Sequence, residues 1–121
     1  MSYPYFDLET ASELLPWVRE RVKELKKLRR EVEESLVMGE KQLLSIYVSE
    51  VDSIVSEIAK KGIIIRDVEK GIVDFPAVIN DAPAYLCWRY GEPEIMYWHY
   101  VGEGFSNRKR IKGNENILSL R

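Results

Sequence analysis

The side chains best suited to chemistry are concentrated in one stretch of this 121-residue chain. Its single cysteine, Cys87, and single histidine, His99, lie with Trp88, Trp98, Arg89, Glu92, Glu94 and Glu103 between Asp74 and Arg108. Asp74, Arg89, His99, Glu103 and Arg108 make a candidate ligand site. Arginine would clamp a small anion, Asp74 or Glu103 would balance the charge, and His99 would supply a proton or a hydrogen bond. The plain structural alternative is a buried arginine–carboxylate pair with the histidine bonded to backbone. Cys87, His99 and a carboxylate also offer three metal donors if strand register brings them together. No close-spaced ligand pair such as CxxC or HExxH is present, so neither a metal nor another cofactor is expected. No catalytic residue is assigned either. A nucleophilic Cys87 would need His99 within hydrogen-bond reach, and a cysteine inside Tyr-Leu-Cys-Trp-Arg reads as a small buried hydrophobe. Gly102-Glu103-Gly104 lacks the strand-to-helix context of a phosphate-binding turn and reads as a loop.

Whether these residues cooperate depends on a hairpin register, since a slip of one residue moves every side chain to the other face. If Arg89 stands opposite Glu94, Arg89, Cys87 and Tyr85 share a face with Glu94, Met96 and Trp98, and His99 lies with Leu86 and Trp88. If Tyr90 stands opposite Glu94, the bulky apolar Leu86, Trp88, Met96 and Trp98 segregate to one face. Tyr85, Cys87 and Arg89 then share the other with Tyr97 and His99. The second register separates apolar from polar better and is preferred.

The elements that must hold this stretch follow from pattern. Leu8, Ala11, Leu15, Val18, Val22, Leu25, Val32 and Leu36 recur at helical steps, with Leu28 slightly off the stripe. Asp7 is a ready N-cap, although Thr10-Ala11-Ser12-Glu13 also matches a capping box and would start the helix later. The earlier start places Pro16 inside the helix, where a kink is expected. A second stripe runs through Leu44, Tyr47, Val48, Val51, Ile54, Val55 and Ile58 and stops at Gly62. A short connector at Gly39 predicts an antiparallel helical hairpin over 8–61 that projects beyond a small sheet. Short β-rich runs follow over 62–105: Ile63 to Arg66, Ile72 to Phe75, Ala77 to Ile79, Ala84 to Tyr90 and Glu94 to Val101. Gly71 and Asn80-Asp81-Ala82-Pro83 mark turns, and Pro76 marks an edge, a bulge or a strand end. An antiparallel β-meander of about four strands, and so an α+β single domain, is the economical assembly.

Residues 106–121 carry Arg108, Lys109, Arg110, Lys112 and Arg121 against Glu115 alone. They read as a mobile basic C-terminal tail, with Arg108, Lys109, Arg110 and Lys112 as candidate nucleic-acid contacts. Ile117-Leu118 could dock back locally.

Phe6-Asp7-Leu8-Glu9, Leu14-Leu15-Pro16, the segment from Gly62-Ile63 to Val73-Asp74-Phe75-Pro76-Ala77, and above all Tyr85-Leu86-Cys87-Trp88-Arg89-Tyr90-Gly91-Glu92-Pro93-Glu94 with Trp98-His99 and Gly104-Phe105 carry a resemblance. The chain resembles the uncharacterised prokaryotic family numbered 2203 among the domains of unknown function, over roughly residues 5 to 108. Its acidic residue after His99 comes slightly late, as Glu103, and Asn107-Arg108 stands where a small residue and Arg are the pattern. The resemblance implies a small soluble prokaryotic protein and no particular activity.

Composition bounds the rest. With 45% apolar residues the chain can build one core, and 18 basic against 20 acidic residues exclude a uniformly basic nucleic-acid coat. One cysteine excludes an internal disulfide. Neither a leader-like N-terminus nor a membrane-length apolar run is seen, so a cytoplasmic location is expected. The functional expectation is a non-enzymatic interaction or scaffold protein that forms a homodimer through its hairpin. The alternatives are a small-anion sensor or enzyme using the sheet, and an RNA- or ribosome-associated factor using the tail.

Overall fold

The computed structural model describes residues 5–119; residues 1–4 of the N-terminus and residues 120–121 of the tail lie outside it. Helix α1 spans Leu8–Met38 and α2 spans Lys41–Lys60. At about 1.5 Å per residue they are roughly 46 and 30 Å long. Asp7 caps α1 reciprocally: its carboxylate accepts the Thr10 N–H at 2.7 Å, and the Thr10 hydroxyl accepts the Asp7 N–H at 3.0 Å. The earlier helix start is therefore adopted, and Pro16 lies within α1. Gly39, at φ 70°, turns the chain while its N–H reaches back to the Ser35 and Leu36 carbonyls. The apolar stripe holds through Leu25 and then shifts to Leu28 and Ser35, leaving Leu36 at 62% exposure rather than packed. The cause is the drift of a 3.6-residue helix against a strict seven-residue pattern.

Five strands follow in the order β1 (Ile64–Asp67), β2 (Ile72–Ile79), β3 (Ala82–Arg89), β4 (Tyr97–Tyr100) and β5 (Lys109–Arg110), every neighbour antiparallel. This is the expected meander with one more strand. Asn80 and Asp81, at φ 55° and 62°, make the β2–β3 turn, the primed geometry that matches strand twist. Gly71 ends the β1–β2 turn at φ 71°, where a Cβ would lie 2.5 Å from that of Tyr90. Pro76 sits inside β2, beyond the point where its pairing with β1 stops at Asp74. Its carbonyl accepts the Phe6 N–H, so the side of β2 on which Pro76 lacks a donor is the side that β1 has vacated.

Strand alternation divides the sheet. Val73, Phe75, Leu86, Trp88 and Trp98 face the hairpin and meet Leu15, Val18, Val22, Leu25, Ile54 and Ile58 in the core. Asp74, Tyr85, Cys87, Tyr97 and His99 point the other way. At roughly 25 cal/mol per Å² of apolar surface, the helix-facing side supplies most of the driving force for folding.

The tail is a correction. Residues 106–119 are not a free basic segment: Phe105–Asn107 forms a 3-10 turn, β5 pairs with β4, and Ile117 bridges Ile79. Ile111 N–H bonds the Met96 carbonyl at 2.8 Å and Leu118 N–H that of Val78 at 2.9 Å, so backbone pairing outweighs the polar composition. No helix among the described residues is long and apolar enough to cross a membrane.

Candidate functional site

Two polar side chains and a thiol are buried on the sheet face that the helices do not cover. Asp74 on β2 is 2% exposed, Cys87 on β3 0% and His99 on β4 2%. Asp74 pairs with Cys87 and Tyr85 with His99, which is the register that segregates apolar from polar. The β3–β4 ladder stops at Cys87 opposite Tyr97, short of the expected Tyr90 and Glu94. Glu92 replaces it, its carbonyl accepting from Trp88 Nε1 at 2.9 Å and its Oε1 from the Arg89 N–H at 2.7 Å.

The cation paired with Asp74 is Arg66, whose Nε donates to Oδ2 at 2.9 Å while its guanidinium lies 4.9 Å from the Tyr85 ring centroid. Arg89, expected in that role, shares the face but is exposed and lies 5.7 Å from the Phe105 ring centroid. His99 Nε2 stands 3.2 and 3.3 Å from the two Asp74 oxygens. Its Nδ1 is 2.9 Å from the Tyr100 carbonyl, which can only accept, so Nδ1 carries the hydrogen. The plain structural alternative is thus partly realised, with an arginine–carboxylate pair and a backbone-bonded histidine in one cluster.

Cover for this outer face comes from the segment after β4. Arg108 forms a bidentate pair with Glu92 at 2.7 and 3.0 Å and lies 4.0 and 4.1 Å from the Tyr97 and Phe105 ring centroids. Glu103 accepts from Lys109 at 2.7 Å and from the Tyr100 N–H at 2.9 Å, and these bonds hold its carboxyl below the usual range. Burial, helped by the Asp74 charge, pushes the Cys87 thiol up to about 12, with Arg108 opposing. A free thiolate nucleophile at neutral pH is therefore not what this environment favours.

Above the cluster lies a pocket of about 510 Å³, walled by Arg66, Asp74, Tyr85 and His99 on the sheet and by residues 101–105 of the loop. Gly102-Glu103-Gly104 is a loop, as expected, and it forms the rim. Of the five residues proposed for the site, Asp74, His99 and Glu103 line this pocket, while Arg89 and Arg108 do not. Arg66 and Tyr85 were missed. The lining carries one guanidinium, paired with Asp74, against the carboxylates of Asp67, Asp74 and Glu103, the last paired with Lys109, which makes it a poor match for the anion clamp and a better one for a cation. Of the candidate nucleic-acid contacts, Arg108 and Lys109 are engaged internally, while the Arg110 and Lys112 side chains are exposed.

No curated protein and no solved structure matches the chain. A family model does, over residues 4–111, a span that contains both helices, the whole pocket and β5. The chain belongs to the family of uncharacterized conserved proteins DUF2203.

Proposed function

We propose that this protein is a small cytoplasmic ligand-binding domain, a sensor or an enzyme, that works through the pocket on the outer face of its sheet. The observation that carries this reading is the burial of Asp74, Cys87 and His99 on the face away from the core. Apolar packing does not call for an aspartate and a histidine there, and placing such groups out of water costs free energy that only specific partners offset. The excess of carboxylates in the lining favours a ligand that brings positive charge over the small anion expected from Arg89 and Arg108. The test is saturation-transfer NMR with a set of small amines and a matched set of small carboxylates and phosphates. Wild type should contact the amines. Val101→Arg, a cation placed on an exposed rim residue, should weaken that contact severalfold. Anions binding instead, or amines binding Val101→Arg as well as wild type, would overturn the reading.

A second reading, self-association through the hairpin, has its own support. Leu44, Val48, Val51 and Val55 form a stripe at steps of four, three and four along α2, with Val48 43% and Val55 38% exposed. Val48 and Val51 also line a mostly apolar groove with Leu25, Val32 and Val68, with Arg29 at its side. A second copy packing antiparallel would extend this seam into four helices. Sedimentation at high micromolar concentration should show a dimer that Val48→Asp dissociates. Val22→Asp is no substitute, because Val22 is 1% exposed within the monomer's own core. A strictly monomeric wild type removes this reading.

A further inference from the structure

We propose that Asp74, Cys87 and His99 form a divalent transition-metal site, with Asp74 and His99 lining this pocket and Cys87 fully buried beside them, and with a fourth position open to water or to a ligand group entering from the pocket. The inference rests on the pocket reading and deepens it. Expected metal sites are signalled by short spacings in sequence, but here the donors come from three neighbouring strands, and the ladder does what a CxxC would do. One donor atom from each residue lies within 4.8 Å of the others. Around tetrahedral zinc, with bonds of about 2.0–2.3 Å, ligand atoms stand roughly 3.3–3.8 Å apart. The Asp74–His99 pair already has that separation, 3.3 Å from Nε2 to Oδ1, and the widest pair needs to close by about 1 Å, within reach of side-chain torsions.

A second observation points the same way. Nδ1 of His99 donates to the Tyr100 carbonyl, which fixes Nε2 as the atom facing Asp74. A neutral ring with that tautomer presents a lone pair to two carboxylate oxygens, and the contact is attractive only if something positive lies between them. That is a proton or a metal ion. Metal-bound histidines characteristically hold the far nitrogen on a carbonyl in this way. Asp74 is prepared too: Arg66 occupies Oδ2, leaving Oδ1 for an ion.

Charge and ligand type complete the argument. A carboxylate, a thiolate and a neutral imidazole sum to two negative charges, so a divalent cation finds compensation in a buried place, with the half-exposed Arg66 on Asp74 adding one positive charge at the solvent side. The Arg108 guanidinium nearby is already neutralised by Glu92. Sulfur and imidazole select zinc or cobalt over magnesium and calcium, which prefer oxygen alone. On binding, the S–H bond of Cys87 breaks, its proton leaves to solvent and the sulfur pair forms the bond to the metal. Three protein ligands and one open position describe a catalytic or sensing centre better than a closed structural one.

The test is titration of chelator-washed, reduced wild-type protein with Co²⁺. A thiolate-to-cobalt charge-transfer band saturating at one ion per chain, with the d–d absorption of a tetrahedral site and displacement by Zn²⁺, is the expected result. Cys87→Ser should abolish the charge-transfer band, and Asp74→Asn should keep it while weakening affinity at least about tenfold. Absence of the band in wild type, or its persistence in Cys87→Ser, overturns the proposal. The amine NMR experiment repeated on chelator-washed protein separates the two ideas: amines bound without a cobalt band leave the pocket standing and the metal refuted, and the reverse outcome does the opposite.

Discussion

Removing the Asp74 carboxylate from metal-free protein tests how the outer-face cluster is held. Asp74 is 2% exposed and, besides the Cys87 thiol, has two partners of different kinds, Arg66 and His99. The Arg66 side chain is 45% exposed and can return to water, so losing that contact costs at most about 1 kcal/mol. His99 cannot follow, since its side chain is 3% exposed and Asp74 is the group opposite Nε2. Asp74→Ala therefore strands a buried polar group and breaks a buried pair, a loss of about 3–5 kcal/mol. For a chain of this length that is a fall in Tm of roughly 10–20 °C. Asp74→Asn behaves differently. Its amide can donate to Nε2 while its oxygen still accepts from Arg66, so it should cost only about 1 kcal/mol. Urea unfolding of the two variants in chelator reads the difference. If Asp74→Ala unfolds within about 1 kcal/mol of Asp74→Asn, the polar contact contributes little and the reasoning fails.

Cys87 gives a prediction in pH. Its folded pKa is raised from 9.0 to about 12, so the fold keeps the proton that an unfolded thiol gives up. The stability this contributes is complete below about pH 9 and is lost as pH rises towards 12. With metal removed by chelator, urea midpoints of wild type should fall more steeply than those of Cys87→Ser above pH 9; parallel curves would contradict the burial argument. Deleting residues 109–121 should lower Tm by several degrees and expose the edge of β4, because the bonds of Ile111 and Leu118 to the sheet go with it. An unchanged melting curve would show that the segment contributes nothing to the fold.

How far the sequence could be read varies with the range over which each decision is made. The α1 stripe through Leu25 and the Asp7 cap depend on neighbours within one helix turn, and both were legible. So was the β3–β4 register, because only one alignment puts Leu86, Trp88 and Trp98 on a common face. The partner of Asp74 was harder. Arg66 reaches it through a β1–β2 pairing whose register shifts between Ile65 and Asp67, and such a shift leaves no mark in composition. Burial of the outer face was also hidden, since it depends on Arg108 and Phe105 returning over strands laid down earlier. The tail misled for a related reason. Its basic residues suggest solvent, and the few apolar residues that anchor it, Ile111 and Ile117, are too sparse to show a period.

The stretch of β2 beyond Pro76 has one further consequence. Phe6 bridges Ala77 in parallel and Ile117 bridges Ile79 antiparallel, both on the side opposite β3. Two segments more than a hundred residues apart in sequence are thereby clasped two positions apart on one strand. The unsatisfied edge that Pro76 would otherwise present to another molecule is covered by the chain itself. Along the chain, these two bridges close a long loop on β2, and the outer half of the hairpin projects from it. Hydrogen exchange should then divide the molecule unequally: amides around Gly39 open by local fraying, whereas those of β2 and β3 wait for the closed loop as a whole to come apart.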